Sequence, residues 1–524
     1  MMVSYSIFGV TEFAARLPSA LFGIGTCLLT WSMGRRLFGA NAGVWAAVIL
    51  ATTMMFDVAS RAATPDAPLI FFSTLAIWFY VLGTTAPPGS ALSGFVREFP
   101  TGWTIPCLMY AAMGMAVLAK GPIGLVLPTA VIGMSLLIRR LPASAAPSNA
   151  PWESALVQSV RPFAPIHFLK TCWSMRPITA VLMVLAVALP WYVWVHLRTN
   201  GAWTSGFFLE HNLERATRAM DGHHGNVLYY PVALLIGFFP WSVFWLPALM
   251  AAVRVVRQKS PLSNSALFSL CWVGVYVALF SIARTKLPSY ITPCYPGMAL
   301  LTGMFIDHWV TGQIQLPAVW RRLSLGTLIF AGVGIAVVLP ILCSFLLPGE
   351  EWLGIAGVVP LLGGLFALIA AEKGRTLLAS RWVAGTAVAM SLLIFSVIAD
   401  RVDGHRRLED LVSAIAPEGQ LETTEIASLS GGEGSWVFYC GQPIRRLAST
   451  EQAMDYLRSP SPDGKTRVLI ATGKRLQQDD AISPLSAYVV HRVPYFMRRD
   501  DIVILKPQAP VLRSAEAPNP YEVR

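Results

Sequence analysis

Charge is what this 524-residue chain has least of, with 13% Asp, Glu, Lys and Arg where a soluble globular chain carries roughly 25%. Hydrophobic residues make up 55%, so the composition argues against a soluble fold. Paired cysteines are also missing. Cys27, Cys107, Cys172, Cys271, Cys294, Cys343 and Cys440 are scattered with no CxxC pair, which supports neither a disulfide framework nor a zinc site. The first residues, MMVSYSIFGVTEFAARLP, lack the basic segment and apolar core of a cleavable signal peptide. No internal repeat is visible. A net charge of +11 raises the question of nucleic acid, but the cations sit in small clusters between apolar runs, with no continuous basic stripe interleaved with aromatics. Nucleic acid is not an expected partner.

What the chain does have is long apolar runs. A bilayer core takes about 20 apolar residues as helix, somewhat fewer where Trp, Tyr or Arg anchors flank the run. Twelve segments qualify, near 17–34, 42–56, 67–83, 103–119, 121–138, 177–197, 229–251, 264–283, 288–306, 323–347, 352–371 and 382–399. Threading them alternately through a membrane places Arg35, Arg36, Arg97, Arg139, Arg140, Arg161, Lys170, Arg176, Arg254, Arg257, Lys259, Arg321, Arg322, Lys373, Arg375 and Arg381 on one side. The other side holds Arg16, Arg61, Lys120, Arg198, Arg215, Arg218, Arg284 and Lys286. Sixteen against eight makes the first side cytoplasmic. The stretches 84–102 and 139–176 then read as cytoplasmic linkers.

After Asp400 charged residues become frequent, and short β-prone runs (TEIASL, SWVFYC, TRVLIAT, AYVVHRV, DIVILK) alternate with the helical TEQAMDYLRS. The expected architecture is an all-α polytopic membrane domain over 1–400 with about twelve transmembrane helices, then a small α/β soluble domain over 401–507. A Pro-rich tail, 508–524, reads as disordered.

Ionisable residues beside membrane spans are costly without a partner or a task, and here they gather in outer loops. Asp66 follows Pro65 at the start of a span, where the helix N-terminus favours a carboxylate. Either it is a plain cap, or it orients a hydroxyl or takes its proton. Lys120 precedes the Gly121-Pro122 break and either snorkels to the interface or meets an anionic headgroup. Arg284 and Lys286 flank a Pro turn with Tyr290 just beyond. Boundary anchoring would look similar, but cations on the depleted side favour a phosphate, which Arg grips bidentately. The loop 198–228 holds Glu210, His211, Asp221, His223 and His224 ahead of Tyr229 and Tyr230. It shows no HExxH or comparable spacing, so a divalent metal is unsupported, no cofactor is called for, and hydrogen bonding to phosphate or sugar is the expected role. Cations and a few acids at the outer ends of apolar helices suit a ligand with a lipid tail, a phosphate and a polar group facing out.

The stretches FGVTEFAARLPSAL, GRRLFGANAG, ASRAATPDAPLIFF, VLAKGPIGLVLP, ALPWYVWV, FFLEHNLERATRAMDGHH with YYP, FFPWSVFWLP and ARTKLPSYITPCYPGMALL resemble, in order, the bacterial dolichyl-phosphate-mannose-protein mannosyltransferase-like family. The resemblance is strongest to its aminoarabinose (undecaprenyl-phosphate sugar) transferase branch, with the GT-C membrane fold. It implies Asp66 as the active-site acid, with Lys120, His223, Arg284, Lys286 and Tyr290 as lipid-phosphate or substrate contacts. Asn226 and Leu228 stand where the family commonly has Pro and Trp. The resemblance further implies a donor built on polyprenyl phosphate, an acceptor that is lipid A, a glycan or a protein, and a bacterial inner-membrane location with the active face and C-terminal domain periplasmic. Family members begin with an extra span and an Asp-bearing outer loop ahead of the segment that starts here at Phe8. The expectation is therefore a chain lacking that first span and loop, restored by a start upstream of Met1. Two rival readings follow: a polytopic lipid transporter or flippase, which usually shows repeated halves and midplane charges, and an inactive lipid-binding homologue.

Overall fold

Apolar side chains leave the backbone of a lipid-embedded segment no partner but itself, so spans in this chain close as helices. The computed structural model describes residues 1–89, 94–141, 160–207, 226, 228–283, 285–406, 408–416, 421–429, 434–477, 484–496 and 500–507. The predicted disordered tail, 508–524, lies outside the described residues. The helices of the apolar region are α1 (Met2–Phe8), α2 (Glu12–Leu37), α3 (Ala40–Ala51), α4 (Met54–Arg61), α5 (Asp66–Thr84), α6 (Thr104–Lys120), α7 (Ile123–Arg139), α8 (Pro165–Ser174) and α9 (Pro177–Arg198). They continue as α10 (Tyr229–Gly237), α11 (Trp245–Arg257), α12 (Ser263–Ile282), α13 (Tyr295–Val310), α14 (Ala318–Leu346), α15 (Val358–Glu372) and α16 (Thr376–Leu393).

Among the described residues seven helices are long and apolar enough to cross a membrane, and nine when each of two bent pairs counts as one span. The chain is a multi-pass membrane protein. Local signals set the boundaries. Thr11 caps α2 by accepting a hydrogen bond from Ala14 N at 3.2 Å, and Arg35 and Arg36 in its last turn answer the negative end of the helix dipole. Pro177 sits in the first turn of α9, where its missing N–H costs nothing.

Each of the twelve expected segments lies on helical chain, but several depart from a single straight α-helix. The segment 42–56 becomes α3 and α4, bent by 64°, where Thr52 and Thr53 hydroxyls bond back to Val48 and Ile49 carbonyls at 2.7 Å. Such back-bonding competes with the helical ladder. The segment 229–251 becomes α10 and Trp241–Arg257, turned through 116° beside Pro240, which cannot donate to a continuing helix. The segment 288–306 opens as a tight turn, Pro288–Cys294, before α13. A separate finding is α8, an ordered ten-residue helix inside the expected linker 139–176.

The chain divides into two compact units, Met1–Leu339 with Gly354–Leu393 and Pro340–Leu353 with Ile394–Arg524. In the first, small residues let backbones approach, as is usual between membrane helices. A Cβ on Gly43 would lie 2.7 Å from Trp31 O and Arg35 N, and one on Gly303 would lie 2.7 Å from Ala42 O. That closeness joins α2, α3 and α13. Bulky side chains such as Trp241, Trp272, Tyr80 and Tyr110 fill the interior, while α9 and α14 expose Leu182, Leu197, Phe330 and Val337, the surface a bilayer solvates.

The second unit is built on a five-stranded sheet, order β2-β1-β3-β5-β4, from β1 (Thr424–Leu429), β2 (Arg445–Leu447), β3 (Thr466–Thr472), β4 (Val489–Pro494) and β5 (Asp501–Leu505). The pairs β1–β2 and β1–β3 are parallel, β3–β5 and β4–β5 antiparallel. Alternation sends Ala427, Leu429, Leu469, Ala471, Val503 and Leu505 to one face, against α17 (Thr450–Arg458). It sends Ile426, Val468, Ile470, Ile502 and Ile504 to the other. There the run SWVFYC, expected as a strand, is the helix Gly434–Cys440, and its Trp436 and Cys440, four residues apart, pack on the sheet. Burial of that face overrides the local β preference.

Candidate functional site

α5 runs away from Asp66 and α6 returns to Lys120, so the two charged residues meet at one end of the bundle, with α7 starting beside them. Asp66 opens α5 after Pro65, and Thr64 Oγ1 donates to its Oδ2 at 3.3 Å. Lys120 closes α6, where Gly121 adopts φ +79° and stops the helix. The Lys120 ammonium donates to Asp66 Oδ1 and forms an ion pair with it. It also stands 4.8 Å from the centre of the Tyr290 ring, a cation–π distance. The side chains stay 13% and 24% exposed, so the pair is sheltered yet reachable. Three sequence-predicted residues from distant segments, Asp66, Lys120 and Tyr290, thus form one cluster.

Lys286 points elsewhere. Its Nζ donates to Phe280 O at 2.9 Å and Ser281 O at 2.6 Å, closing the C-terminus of α12, and lies 5.3 Å from the Tyr230 ring centre. Burial pulls its ammonium below the ordinary lysine range. The expectation of a phosphate grip meets an ammonium engaged with two carbonyls, which fixes the turn carrying Tyr290. His223 and Arg284 lie outside the described residues, as do Glu210, His211, Asp221 and His224. Among the described residues no cluster of His, Cys, Asp and Glu suits a metal.

An apolar cavity of about 600 Å³ lies between Met54, Met55 and Val58 on one side and Tyr229, Val232 and Ile236 on the other. Pro288, the first residue of the turn that carries Tyr290, also lines it. Sequence reasoning missed Asp57, which is buried in α4. Arg61 Nη1 donates to its Oδ1 and Ser391 Oγ of α16 to its Oδ2, both at 2.7 Å. The signal was there as Asp and Arg four residues apart in MMFDVASRAATPDAPL, a spacing that pairs side chains on one helix face.

Residues 1–167 match the family described as dolichyl-phosphate-mannose-protein mannosyltransferase. An undecaprenyl phosphate-alpha-4-amino-4-deoxy-L-arabinose arabinosyl transferase of Pectobacterium carotovorum is 26% identical over 75% of this chain and 63% of its own length. A transferase of the same name from Edwardsiella ictaluri is 26% identical over 79% of this chain and 68% of its own. The crystal structure of ArnT from Cupriavidus metallidurans bound to undecaprenyl phosphate superposes with a TM-score of 0.68 at 22% identity, covering 97% of this chain and 86% of that one. This chain shares the GT-C fold of that structure. It spans 56% to 63% of the length of the first curated relatives it matches. Asp66 and Lys120 both fall within the family match, whereas Tyr290 and the α/β unit lie beyond it.

Proposed function

We propose that the chain is a glycosyltransferase that moves a sugar from a polyprenyl phosphate, undecaprenyl phosphate in bacteria, to an acceptor at the periplasmic face of the inner membrane. The observation that carries this reading is the Asp66–Lys120 pair under Tyr290 at one end of a GT-C bundle. In the reaction the bond from the anomeric carbon to the phosphate oxygen breaks, and the acceptor's oxygen bonds to that carbon. Lys120 meets the charge that gathers on the departing phosphate, a stabilisation worth most in a sheltered site. A hydroxyl acceptor must lose a proton, which Asp66 receives; an acceptor already anionic needs no base. Until the donor arrives, each group holds the other in place. The cavity between α4 and α10 is apolar enough for an isoprenoid tail, Arg284 and His223 are candidate contacts of the phosphate or sugar, and Lys286, held by the Phe280 and Ser281 carbonyls, supports the turn that carries Tyr290.

Lipid A is the favoured acceptor, with a protein or another glycan as the alternatives, and the α/β unit is assigned to the periplasm. The test is the purified full chain in vesicles with a polyprenyl-phosphate sugar donor and lipid A, followed by mass spectrometry. Sugar-modified lipid A is expected. Release of polyprenyl phosphate without modified lipid A redirects the search to other acceptors, and an intact donor with every acceptor class contradicts the reading.

A further inference from the structure

At the end of the bundle away from Asp66, α8 joins the end of α7 to the start of α9. At about 1.5 Å per residue its ten residues cover roughly 15 Å, half of a bilayer core, so it is no span. One side is fixed to the bundle. Thr171 is buried, His167 Nε2 lies 2.9 Å from Leu137 O, and Ser174 accepts from Arg140. The opposite side carries Ile166, Leu169 and Trp173, 72%, 66% and 70% exposed, which at 3.6 residues per turn fall within an arc of about 60°. A helix that turns polar residues to the protein and a large apolar stripe outward matches a lipid surrounding, and Trp is favoured at the membrane interface.

Charge at the same end identifies the lipid. Arg97, Arg139, Arg140, Arg161, Lys170 and Arg176 gather there, and Glu98, already paired with Arg140 at 2.8 Å, is the acid among the described residues of 94–176. Arg176 is committed to Thr101 and Gly102 carbonyls. Lys170 is exposed beside the apolar stripe, placed to reach a headgroup while the stripe enters the acyl region.

We propose that α8 is a membrane-surface helix that docks on an anionic phospholipid leaflet, with Ile166, Leu169 and Trp173 among the acyl chains and Lys170 on the lipid phosphates. The inference is independent of the proposed sugar transfer. It is tested with the full chain in vesicles carrying a photoreactive acyl chain on either phosphatidylglycerol or phosphatidylcholine at equal fraction, with cross-links mapped by mass spectrometry. Cross-links at Ile166, Leu169 or Trp173 are expected, about fivefold more from the anionic probe, and Lys170→Gln should remove most of that excess. A segment 160–176 free of cross-links overturns the placement. Equal yields from the two probes, or an excess unchanged in Lys170→Gln, overturn the anionic recognition.

Discussion

Asp57 and Asp66 are both carboxylates in the same stretch, yet their surroundings separate their tasks. Asp66 is paired with a lysine at a reachable helix end, whereas Asp57 is buried and held by Arg61 and by Ser391 from a helix more than 300 residues later in the chain. Removing the cation should therefore hurt more than neutralising the acid. Arg61→Ala strands a buried carboxylate and should cost about 3 kcal/mol. Asp57→Asn keeps a polar partner for Ser391 and should cost about 1 kcal/mol. Melting of the two variants in detergent checks the order, and an Asp57→Asn protein less stable than Arg61→Ala would show that Asp57 needs its charge for another reason. Asp66, Lys120 and Tyr290 were readable as candidates because each is a costly or anchoring residue beside an apolar run. That they meet was not readable, since contact across 54 residues and more depends on how α5, α6 and the turn after α12 pack. Lys286 shows the converse. Its chemistry suggested phosphate, but only the packed structure reveals the Phe280 and Ser281 carbonyls that occupy it.

At the level of elements, hydrophobic length fixed most helices and β-branched runs most strands, while bends and the run SWVFYC depended on packing. The bends at Thr52 and Pro240 follow from residues whose local chemistry was visible, although the angles were not. In the Gly434–Cys440 helix, burial raises the Cys440 thiol to about 11. Its thiolate fraction at pH 8 is then on the order of one in a thousand. Native protein at pH 8 should leave Cys440 unmodified by a maleimide, with labelling only on denaturation or as the pH approaches 11. Rapid labelling of the folded chain would show that the helix does not cover it. In the same unit Arg467 is 9% exposed and binds Glu425 at 3.1 Å and the Tyr456 and Ser459 carbonyls at 2.9 Å, tying β3 to β1 and α17. Arg467→Ala should destabilise this unit by about 3 kcal/mol, read as earlier urea unfolding of its sheet signal. An unchanged midpoint would show the clasp to be dispensable.

For the molecule as a whole, the twelve apolar segments and the sixteen-to-eight division of cations already described a bundle with two chemically different ends. The structure adds contact. One end joins Asp66, Lys120 and Tyr290, and the other gathers arginines around α8. The central claim is that the first end breaks a glycosyl phosphate bond. Its most direct measurement is the rate at which the full chain in vesicles consumes a polyprenyl-phosphate sugar donor, compared with Asp66→Asn and Lys120→Ala. The account predicts consumption by the unaltered chain and a loss of at least about 100-fold in each variant, the scale of a lost proton acceptor or charge stabiliser. Consumption at the unaltered rate in both variants would contradict it.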